Sequence, residues 1–310
     1  MLELIFIIGF PIILLILLVV ILISGRPNRR AEQDFMSCDD FIKDWLKDHG
    51  QAHKVEEQFT QMKKDPAGLI YMPLTYKGAK IFIKWGLSPN KVSIMNLIFS
   101  FFIFYGVLVA GFGHRLDILT EQPIFGFWFV IFALLVLFTG LIDGIDGAIA
   151  RLLDIKSKSG AWFDNIIDRV SDTLMLVCLI PTGLSVLIGS GYDFKWMIWT
   201  NIFIIFLYEY MRARHEGLGL HETKPYIGER ITRILIITTF FAIYGVSSLT
   251  VLLTSLINPD AAAIWESSHT GITTWCMFIF QITLLVIMIY SVIGFGNYIW
   301  KNLKKMDNAK

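Results

Sequence analysis

The chain has 310 residues, of which 55% are hydrophobic, 14% are aromatic and 17% are charged, and its formal net charge is +1. That balance is too apolar for an ordinary soluble domain, and a nearly neutral chain lacks the basic footprint of a nucleic-acid-binding protein. Three scattered cysteines, Cys38, Cys178 and Cys276, argue against a disulfide framework and against a zinc site. The composition predicts an integral membrane protein.

The first apolar run, residues 2–24, is long enough to cross a bilayer. It lacks a basic leader and a small-residue cleavage site, so we expect an uncleaved anchor rather than a signal peptide. Arg26, Arg29 and Arg30 follow at once, and basic flanks face the cytoplasm. The anchor, residues 1–30, is therefore predicted to place its N-terminus on the outer side.

The next segment, residues 31–87, is polar but carries apolar stripes at helical spacing. Such stripes predict amphipathic helices on the cytoplasmic side that lie near the membrane surface. One is expected around Trp45 and a second around Phe59. A third, within 69–85, mixes aromatic residues with lysines and is expected to lead into the membrane domain.

Six further apolar segments have the length of membrane-crossing helices. Their predicted bounds are residues 90–112, 123–150, 161–188, 195–214, 229–257 and 272–300. The first of them opens at Ser88–Pro89, the residues of a helix cap and first turn. The predicted fold is therefore an all-α polytopic membrane helix bundle, with a six-helix core in a domain of residues 88–300. The anchor adds a seventh span, and residues 301–310 form a basic cytoplasmic tail.

The charges of the connecting segments alternate along the chain. Segments 113–122 and 258–271 are not strongly basic, whereas the 153–159 link, the 212–233 segment and the tail carry lysines and arginines. With seven spans, all three basic segments fall on one side of the membrane. Because basic segments mark the cytoplasmic side, this count predicts a polar site that faces the cytoplasm in the cell membrane.

The most informative stretch runs from Asp143 to Asp168 and reads D-x2-D-G-x2-A-R-x8-G-x3-D-x3-D. Residues three or four apart lie on one helix face, so Asp143 and Asp146 point the same way, and Asp164 and Asp168 do so on the next helix. A short polar link lets the two acidic faces meet across a helix pair. Carboxylates at a membrane are costly unless they have a partner or a function.

Carboxylates without histidine or cysteine suit a hard cation such as Mg²⁺, Mn²⁺ or Ca²⁺ rather than zinc. Two such ions about 4 Å apart could hold a diphosphate and stabilise the charge of its transfer. Gly144, Gly147 and Gly160 leave room for a ligand or a partner helix, and Arg151 adds a permanent cation. The alternative is that the aspartates pair with Arg151, Arg169 or lysines and only fasten two helices together.

This pattern resembles the signature of the CDP-alcohol phosphatidyltransferase family at every position, and the resemblance covers residues 88–300. The segment Leu87–Ser93 is similar to the Leu-Thr-Pro-Asn-x-Val-Thr stretch that the family typically carries. The resemblance implies transfer of a phosphatidyl-type group from a CDP-linked lipid, CDP-diacylglycerol or CDP-archaeol, to an alcohol, with release of CMP. It also implies a homodimer and a polar cavity open to the cytoplasm.

The resemblance further implies roles for individual residues. Two divalent ions, Mg²⁺ or Mn²⁺, would be bound by the aspartates, and Asp168 would complete the metal site or act as general base toward the acceptor hydroxyl. Arg151 would lie near the diphosphate. The implied metal ligands are Asp143, Asp146, Asp164 and Asp168, and the implied CDP-lipid contacts are Gly147, Ala150, Arg151 and Gly160.

A second basic stretch runs from Tyr210 to Arg233. It is similar to the Tyr-x-[Lys/Arg]-Ala-Arg-Ala-Glu-Gly-Leu-Gly and Gly-x-x-Glu-Arg segments of phosphatidylinositol phosphate and archaetidylinositol phosphate synthases. Its cations could bind a polyol phosphate such as inositol 1-phosphate. Glu209 and His215 depart from that pattern, and a carboxylate at 209 would repel a phosphate unless it turned away or paired. The candidate acceptor-binding residues are Arg212, Arg214, Lys224, Arg230 and Arg233.

Other hypotheses stay open at this point. The acceptor could be glycerol 3-phosphate, a neutral alcohol or serine. The arginines and lysine of the basic stretch could instead serve only to orient the protein in the membrane and to form ion pairs with Glu216 and Glu229. An aspartate-rich membrane prenyltransferase would not be expected to show the Ala-Arg pair and the eight-residue gap to Gly160. An ion-coupled transporter would more naturally show inverted repeats and broken midspan helices, and the sequence has neither.

Overall fold

A computed structural model of the chain describes residues 5–25, 35–48, 54–111, 126–187, 190–218 and 226–308. Nearly all regular structure in these ranges is helical, which confirms the all-α class. The helices are α1 (Phe10–Ile23), α2 (Cys38–Leu46), α3 (Val55–Met62), α4 (Met72–Lys84), α5 (Pro89–Gly111), α6 (Trp128–Leu152), α7 (Lys158–Val177), α8 (Lys195–Gly217), α9 (Arg230–Ile257) and α10 (Pro259–Asn308).

Each of the seven predicted spans corresponds to a long helix, and five of the described helices are apolar enough to cross a membrane by length and composition. These five segments are Phe6–Ile23, Pro89–Gly111, Trp128–Leu152, Arg230–Ile257 and Gly271–Asn308. The two remaining helices, α7 and α8, are 20 and 23 residues long. They are less apolar because they carry acidic and basic side chains that belong to the candidate sites.

The predicted span 161–188 ends earlier than expected, at Val177. Pro181 disfavours helical backbone at the residue before it, and the chain turns there instead. A short antiparallel pair of strands follows, β1 (Val186–Leu187) and β2 (Tyr192–Asp193), in which Val186 lies opposite Asp193. The sequence analysis missed this pair, since two-residue strands leave no period-two pattern to detect.

The prediction of a loop over 258–271 was wrong. Helix α9 ends at Ile257, only Asn258 is extended, and α10 begins at Pro259 and continues for 50 residues. Proline is favoured in the first turn of a helix, and an acidic residue such as Asp260 is favourable there. The prediction relied on the polarity of the segment, which does not separate a loop from a polar helical turn.

The polar N-terminal segment contains the amphipathic helices that its apolar stripes predict. Helix α2 is capped by the Ser37 side chain, which accepts the backbone N–H of Asp40 at 3.1 Å. Its apolar side chains, including Phe41, are buried, as is Phe59 of α3. The third predicted helix is α4, and a single π-helical turn, Ala67–Tyr71, precedes it.

The chain divides into two compact units. Within the described ranges, the first is drawn from Met1–Phe102, Phe138–Asp172 and Leu220–Thr223, and the second from Ile103–Leu137, Thr173–Gly219 and Lys224–Lys310. The core of the first unit is formed by α2, α3, α4, the start of α5 and the end of α6. Gly78 of α4 lets that helix pack closely on α6, because a Cβ there would lie 2.7 Å from Ile145 Cδ1.

The second unit has a core rich in aromatic residues. Phe129 of α6 packs edge-on against Phe241 of α9, with ring centroids 5.1 Å apart. A buried polar pair joins α8 to α10, since the Asn201 side-chain amide donates to the Gln281 side-chain oxygen at 2.8 Å. Buried polar groups need such partners, so this pair fixes the register of the two helices.

Candidate active site

Three aspartates of the predicted motif converge in the first unit. Helix α6 ends at Leu152 and α7 begins at Lys158, and this short link brings their acidic faces together. One carboxylate oxygen from each of Asp143, Asp164 and Asp168 lies within 4.8 Å of the other two. Asp168 is buried, and the other two are partly buried.

The fourth aspartate, Asp146, lies beside this group but has a different environment. It is 4% exposed, and its Oδ2 accepts a hydrogen bond from Ser93 Oγ of α5 at 2.5 Å. Its carboxyl group also lies next to that of Asp164.

The donor set fits a divalent cation of the hard class. Carboxylate oxygens are the ligands that Mg²⁺ and Mn²⁺ prefer, and several carboxylates this close together repel one another unless a proton or cation compensates their charge. Asp143, Asp164 and Asp168 could contact one ion directly. Asp146 could join them through its contact with Asp164.

Two glycines of the motif, Gly144 and Gly147, leave room for different neighbouring side chains. A Cβ on Gly144 would clash with the Tyr71 hydroxyl and lie 2.7 Å from Thr75 Cγ2, so this glycine lets side chains at the start of α4 pack over the motif. The Tyr71 hydroxyl donates to the Gly140 carbonyl at 3.3 Å. A Cβ on Gly147 would instead lie 2.9 Å from Nη1 of Arg151.

The side chain of Arg151 turns toward the N-terminal segment. Its Nε donates to Asp48 Oδ2 at 3.1 Å and lies 3.9 Å from Asp44 Oδ2. Lys156 of the link contacts the same two carboxylates, at 2.8 Å from Asp44 and 3.1 Å from Asp48. These four residues are named the α2–motif cluster. The hypothesis that Arg151 neutralises the motif aspartates as a helix fastener thus loses support, because its ion pairs go elsewhere.

Lys156 stays charged in this cluster. Partial burial alone would lower the pKa of its ammonium group, but the hydrogen bonds to Asp44 and Asp48 outweigh that effect, and the pKa is raised above its ordinary value. The formal charges of the four side chains sum to zero.

The residues of the second basic stretch lie in the second unit, where acidic side chains hold two of them. Arg233 is buried and pairs with the equally buried Glu209 at 2.9 Å. Arg212 Nη1 donates to Glu229 at 2.9 Å, and the Tyr208 hydroxyl donates to the same carboxylate at 2.9 Å. The carboxylate at 209 is therefore paired.

The other three candidate cations differ in position. Arg214 is exposed near the end of α8, and Arg230 is partly buried at the start of α9. Lys224 lies outside the described residues. The structure thus separates a buried, paired arginine from more accessible ones, a distinction that the sequence pattern did not make.

Sequence reasoning missed three residues that contact the motif. Ser93 belongs to the Leu87–Ser93 stretch, whose sequence predicts a helix cap at Ser88–Pro89. No pattern within one helix indicates which residue of another helix it will contact. Asp44 and Asp48 are four residues apart, which places them on one helix face. That spacing was a usable signal, but nothing in it identified Arg151 as the partner.

The chain is a helical membrane protein with an acidic cluster at the junction of two helices. The family model described as CDP-alcohol phosphatidyltransferase matches residues 86–295. The match covers more than half of the chain, and the protein belongs to this family. That assignment removes the support for an unrelated prenyltransferase or a transporter.

Several relatives are similar over part of their length. An archaetidylinositol phosphate synthase of Aeropyrum pernix is 32% identical over 131 residues, which are 42% of this chain and 61% of that protein. One of Pyrococcus horikoshii is 27% identical over 158 residues, 51% of this chain and 71% of that protein. A bifunctional IPC transferase and DIPP synthase of Aquifex aeolicus is 24% identical, over 55% of this chain and 36% of that protein.

The chain therefore spans less than two thirds of the length of the Aeropyrum and Aquifex relatives. Among solved structures, a crystal structure of Mycobacterium tuberculosis phosphatidylinositol phosphate synthase with CDP-DAG bound is similar, with a TM-score of 0.47 and 20% identity. The similarity covers 73% of this chain and 93% of that one. At this TM-score it assigns no role to any residue of the chain.

The buried ion pair of the second unit gives a testable prediction. Substituting Glu209→Ala should leave the Arg233 guanidinium buried without its carboxylate, and breaking such a pair costs about 3–5 kcal/mol. We expect a clearly lower unfolding midpoint in detergent, measured by thermal unfolding. The double change Glu209→Leu with Arg233→Leu should restore most of the loss, because it removes both buried charges.

Glu56→Ala serves as the control, since it breaks a pair with Lys43 in which the Glu56 side chain is 77% exposed. Its unfolding midpoint should match that of the unmodified protein. Equal midpoints for Glu209→Ala and the unmodified protein would contradict the buried pair.

Proposed function

We propose that this protein transfers a phosphatidyl-type group from a CDP-linked lipid to an alcohol and releases CMP. The observation that carries the proposal is the convergence of Asp143, Asp164 and Asp168 within 4.8 Å, inside the segment that the family model matches. Transfer between phosphorus centres depends chiefly on positioning and on stabilisation of negative charge. A carboxylate cluster can provide both when it binds a divalent cation.

The proposed metal site is formed by Asp143, Asp146, Asp164 and Asp168, and it takes Mg²⁺ or Mn²⁺, with room in the ligand set for two ions. The bound cations would neutralise the diphosphate and stabilise the charge that develops during transfer. The carboxylates of α6 and α7 hold this site in a fixed geometry. Ser93 orients Asp146, because its hydroxyl donates to the buried carboxylate.

Asp168 is the most buried of the three converging aspartates, and we assign it the role of general base. It accepts the proton of the acceptor hydroxyl while the hydroxyl oxygen attacks the lipid-side phosphorus. A new phosphorus–oxygen bond forms to the acceptor, the bond to the bridging oxygen of the diphosphate breaks, and CMP leaves with that oxygen.

The CDP moiety is proposed to lie along the end of α6 and the start of α7, against Gly147, Ala150, Arg151 and Gly160. The position of the Arg151 guanidinium beside Gly147 supports this placement. A guanidinium is suited to a diphosphate because it donates in pairs in one plane. CDP-diacylglycerol and CDP-archaeol share this headgroup, so the site does not select between them.

The proposed acceptor is an inositol phosphate. Two of the relatives are named archaetidylinositol phosphate synthases, and the basic stretch offers the cations that an anionic acceptor requires. Arg212, Arg214, Lys224, Arg230 and Arg233 are the candidates. Among the described ones, Arg233 pairs with Glu209 and Arg212 with Glu229, Arg230 is partly buried, and Arg214 is exposed. Glycerol 3-phosphate is the second candidate acceptor. A neutral alcohol or serine would not require these positively charged side chains.

The proposed setting is the cell membrane, with the active site facing the cytoplasm and the protein acting as a homodimer. The basic link at Lys156 and the basic stretch at 212–233 support the cytoplasmic assignment through the preference of basic segments for that side. The homodimer is proposed from the family resemblance.

CMP release tests the proposed function. Purified protein should release CMP from CDP-diacylglycerol or CDP-archaeol in the presence of Mg²⁺ or Mn²⁺ and inositol 1-phosphate. The panel should include glycerol 3-phosphate, inositol and serine in place of inositol 1-phosphate. Release with inositol or serine alone would contradict the phosphate-binding role of the basic stretch. Absence of release with every acceptor would contradict the enzymatic proposal.

Asp168→Asn should abolish turnover, since the amide cannot accept the acceptor proton, while CDP-lipid binding and the unfolding midpoint stay close to those of the unmodified protein. We expect a loss of at least 10²-fold in kcat, the lower range of general-base catalysis. Asp154→Asn is the matched control, because it removes the same charge from the exposed link at a residue with φ of 53°, which asparagine tolerates. Substantial turnover by Asp168→Asn would remove the base assignment.

Arg230→Ala should raise the KM for the acceptor much more than the KM for the CDP-lipid, because a lost charge-assisted contact weakens only the ligand that it touches. Steady-state kinetics with each substrate varied in turn measures both constants. Equal increases in the two constants would show that Arg230 does not lie in an acceptor-specific site.

A further inference from the structure

We propose that Asp48, assisted by Asp44, is a positioning residue that sets the guanidinium of Arg151 for the diphosphate of the CDP-lipid. A segment that precedes the family match at 86–295 thereby becomes part of the substrate site. The inference rests on the proposed function, since it assumes that Arg151 meets the diphosphate.

The geometry of Arg151 gives the first argument. Its Nε edge donates to Asp48 at 3.1 Å, while Nη1 lies next to Gly147, 2.9 Å from where a Cβ would be. The guanidinium therefore extends from the N-terminal segment to the backbone of the acidic motif. All five of its N–H donors lie in one rigid plane, so a hydrogen bond at Nε sets the direction of the other four. The Arg151 side chain is only 12% exposed, so it has few other orientations.

The second argument is the charge balance of the α2–motif cluster. Two carboxylates beside a diphosphate site would repel the ligand unless they were compensated. Lys156 supplies that compensation, since it contacts Asp44 at 2.8 Å and Asp48 at 3.1 Å. With Arg151 and Lys156 against Asp44 and Asp48, the formal charge of the cluster is zero. The acids can thus orient Arg151 without making the site repulsive.

The third argument is that α2 is held in place by packing. Phe41, Ile42 and Leu46 are buried in the core of the first unit, which leaves the acidic face of the helix for the motif. Just before α2, the Met36 carbonyl accepts a hydrogen bond from the Tyr76 hydroxyl of α4 at 2.7 Å. Asp44 is therefore presented from a packed helix, as positioning requires, and Asp48 follows two residues after the end of that helix.

The same contacts could in principle inhibit the enzyme, with Asp48 and Asp44 competing against the diphosphate for Arg151. The two roles predict opposite changes. If the acids position the arginine, removing them weakens binding of the CDP-lipid. If they compete for it, removing them tightens binding.

The experiment compares Asp48→Ala, the double change Asp44→Ala with Asp48→Ala, and the conservative Asp48→Glu. It measures the KM for the CDP-lipid, kcat, and the affinity for CDP by calorimetry, all on the full chain in detergent–lipid micelles. The double change should raise the KM and the dissociation constant of CDP on the order of tenfold, comparable to the loss of a charge-assisted hydrogen bond. The kcat should change much less, and Asp48→Glu should recover most of the affinity.

The matched control is Asp39→Ala, which lies on the same helix and pairs with Lys63 at 2.7 Å, so it should leave both constants unchanged. A second control places the changes in an Arg151→Ala background. There, removal of the acids should add no further loss of CDP affinity, because coupled residues are not additive. If the two acids acted only by stabilising the fold, their removal would still lower the CDP affinity in the Arg151→Ala background.

Each outcome decides one of the two proposals. No CMP release and no CDP binding by the unmodified protein would overturn the proposed function and this inference with it. CMP release combined with an unchanged KM and CDP affinity in the double variant would overturn the positioning role alone. A lower KM in that variant would also overturn it, in favour of competition.

Discussion

The need to compensate a group of carboxylates within a helical membrane protein is the constraint on which the site depends. Asp143, Asp164 and Asp168 bring their oxygens within 4.8 Å of one another, and like charges at such distances disfavour joint ionisation. Asp146 adds a fourth carboxyl group that is almost fully buried. A divalent cation would compensate these charges, and the proposed function uses the cluster in this way to bind a diphosphate.

Residues around the acidic motif pack against it and orient its side chains. Glycine at 144 lets side chains at the start of α4 cover the motif, and Ser93 of α5 orients the buried carboxylate of Asp146. Arg151 is held from the other side by Asp48. In the second unit, the buried Arg233 is likewise compensated by a carboxylate, since it forms an ion pair with the buried Glu209. Arg151 and Arg233 are thus each compensated by a nearby carboxylate.

The sequence predicted the long helices well, because apolar runs of membrane length are the strongest signal in a chain of this composition. It also predicted that Asp143, Asp164 and Asp168 would meet, since helical spacing and a short link leave few alternatives. Two boundaries were misplaced. The break at 258–271 shrank to Asn258, and the helix expected to reach 188 stops at Val177, because polarity alone does not locate a helix end.

The contacts between distant segments could not be predicted from one sequence. Ser93 with Asp146, Asp48 with Arg151 and Glu209 with Arg233 each join residues from different helices. A local period identifies the face on which a side chain lies but not the residue that it meets. Glu209 illustrates the point, because the sequence required that it turn away or pair without indicating its partner.

The proposal that the motif aspartates form a divalent-cation site is tested by Mn²⁺ binding to the purified protein, measured by electron paramagnetic resonance without any substrate. The unmodified protein should bind Mn²⁺, and excess Mg²⁺ should displace it. Asp164→Asn should weaken this binding by about tenfold or more, because even the loss of an outer-shell partner of a metal ligand costs about 10–100-fold, while Asp154→Asn should leave it unchanged. Equal Mn²⁺ affinity in the unmodified protein and Asp164→Asn would show that the motif aspartates do not bind the ion.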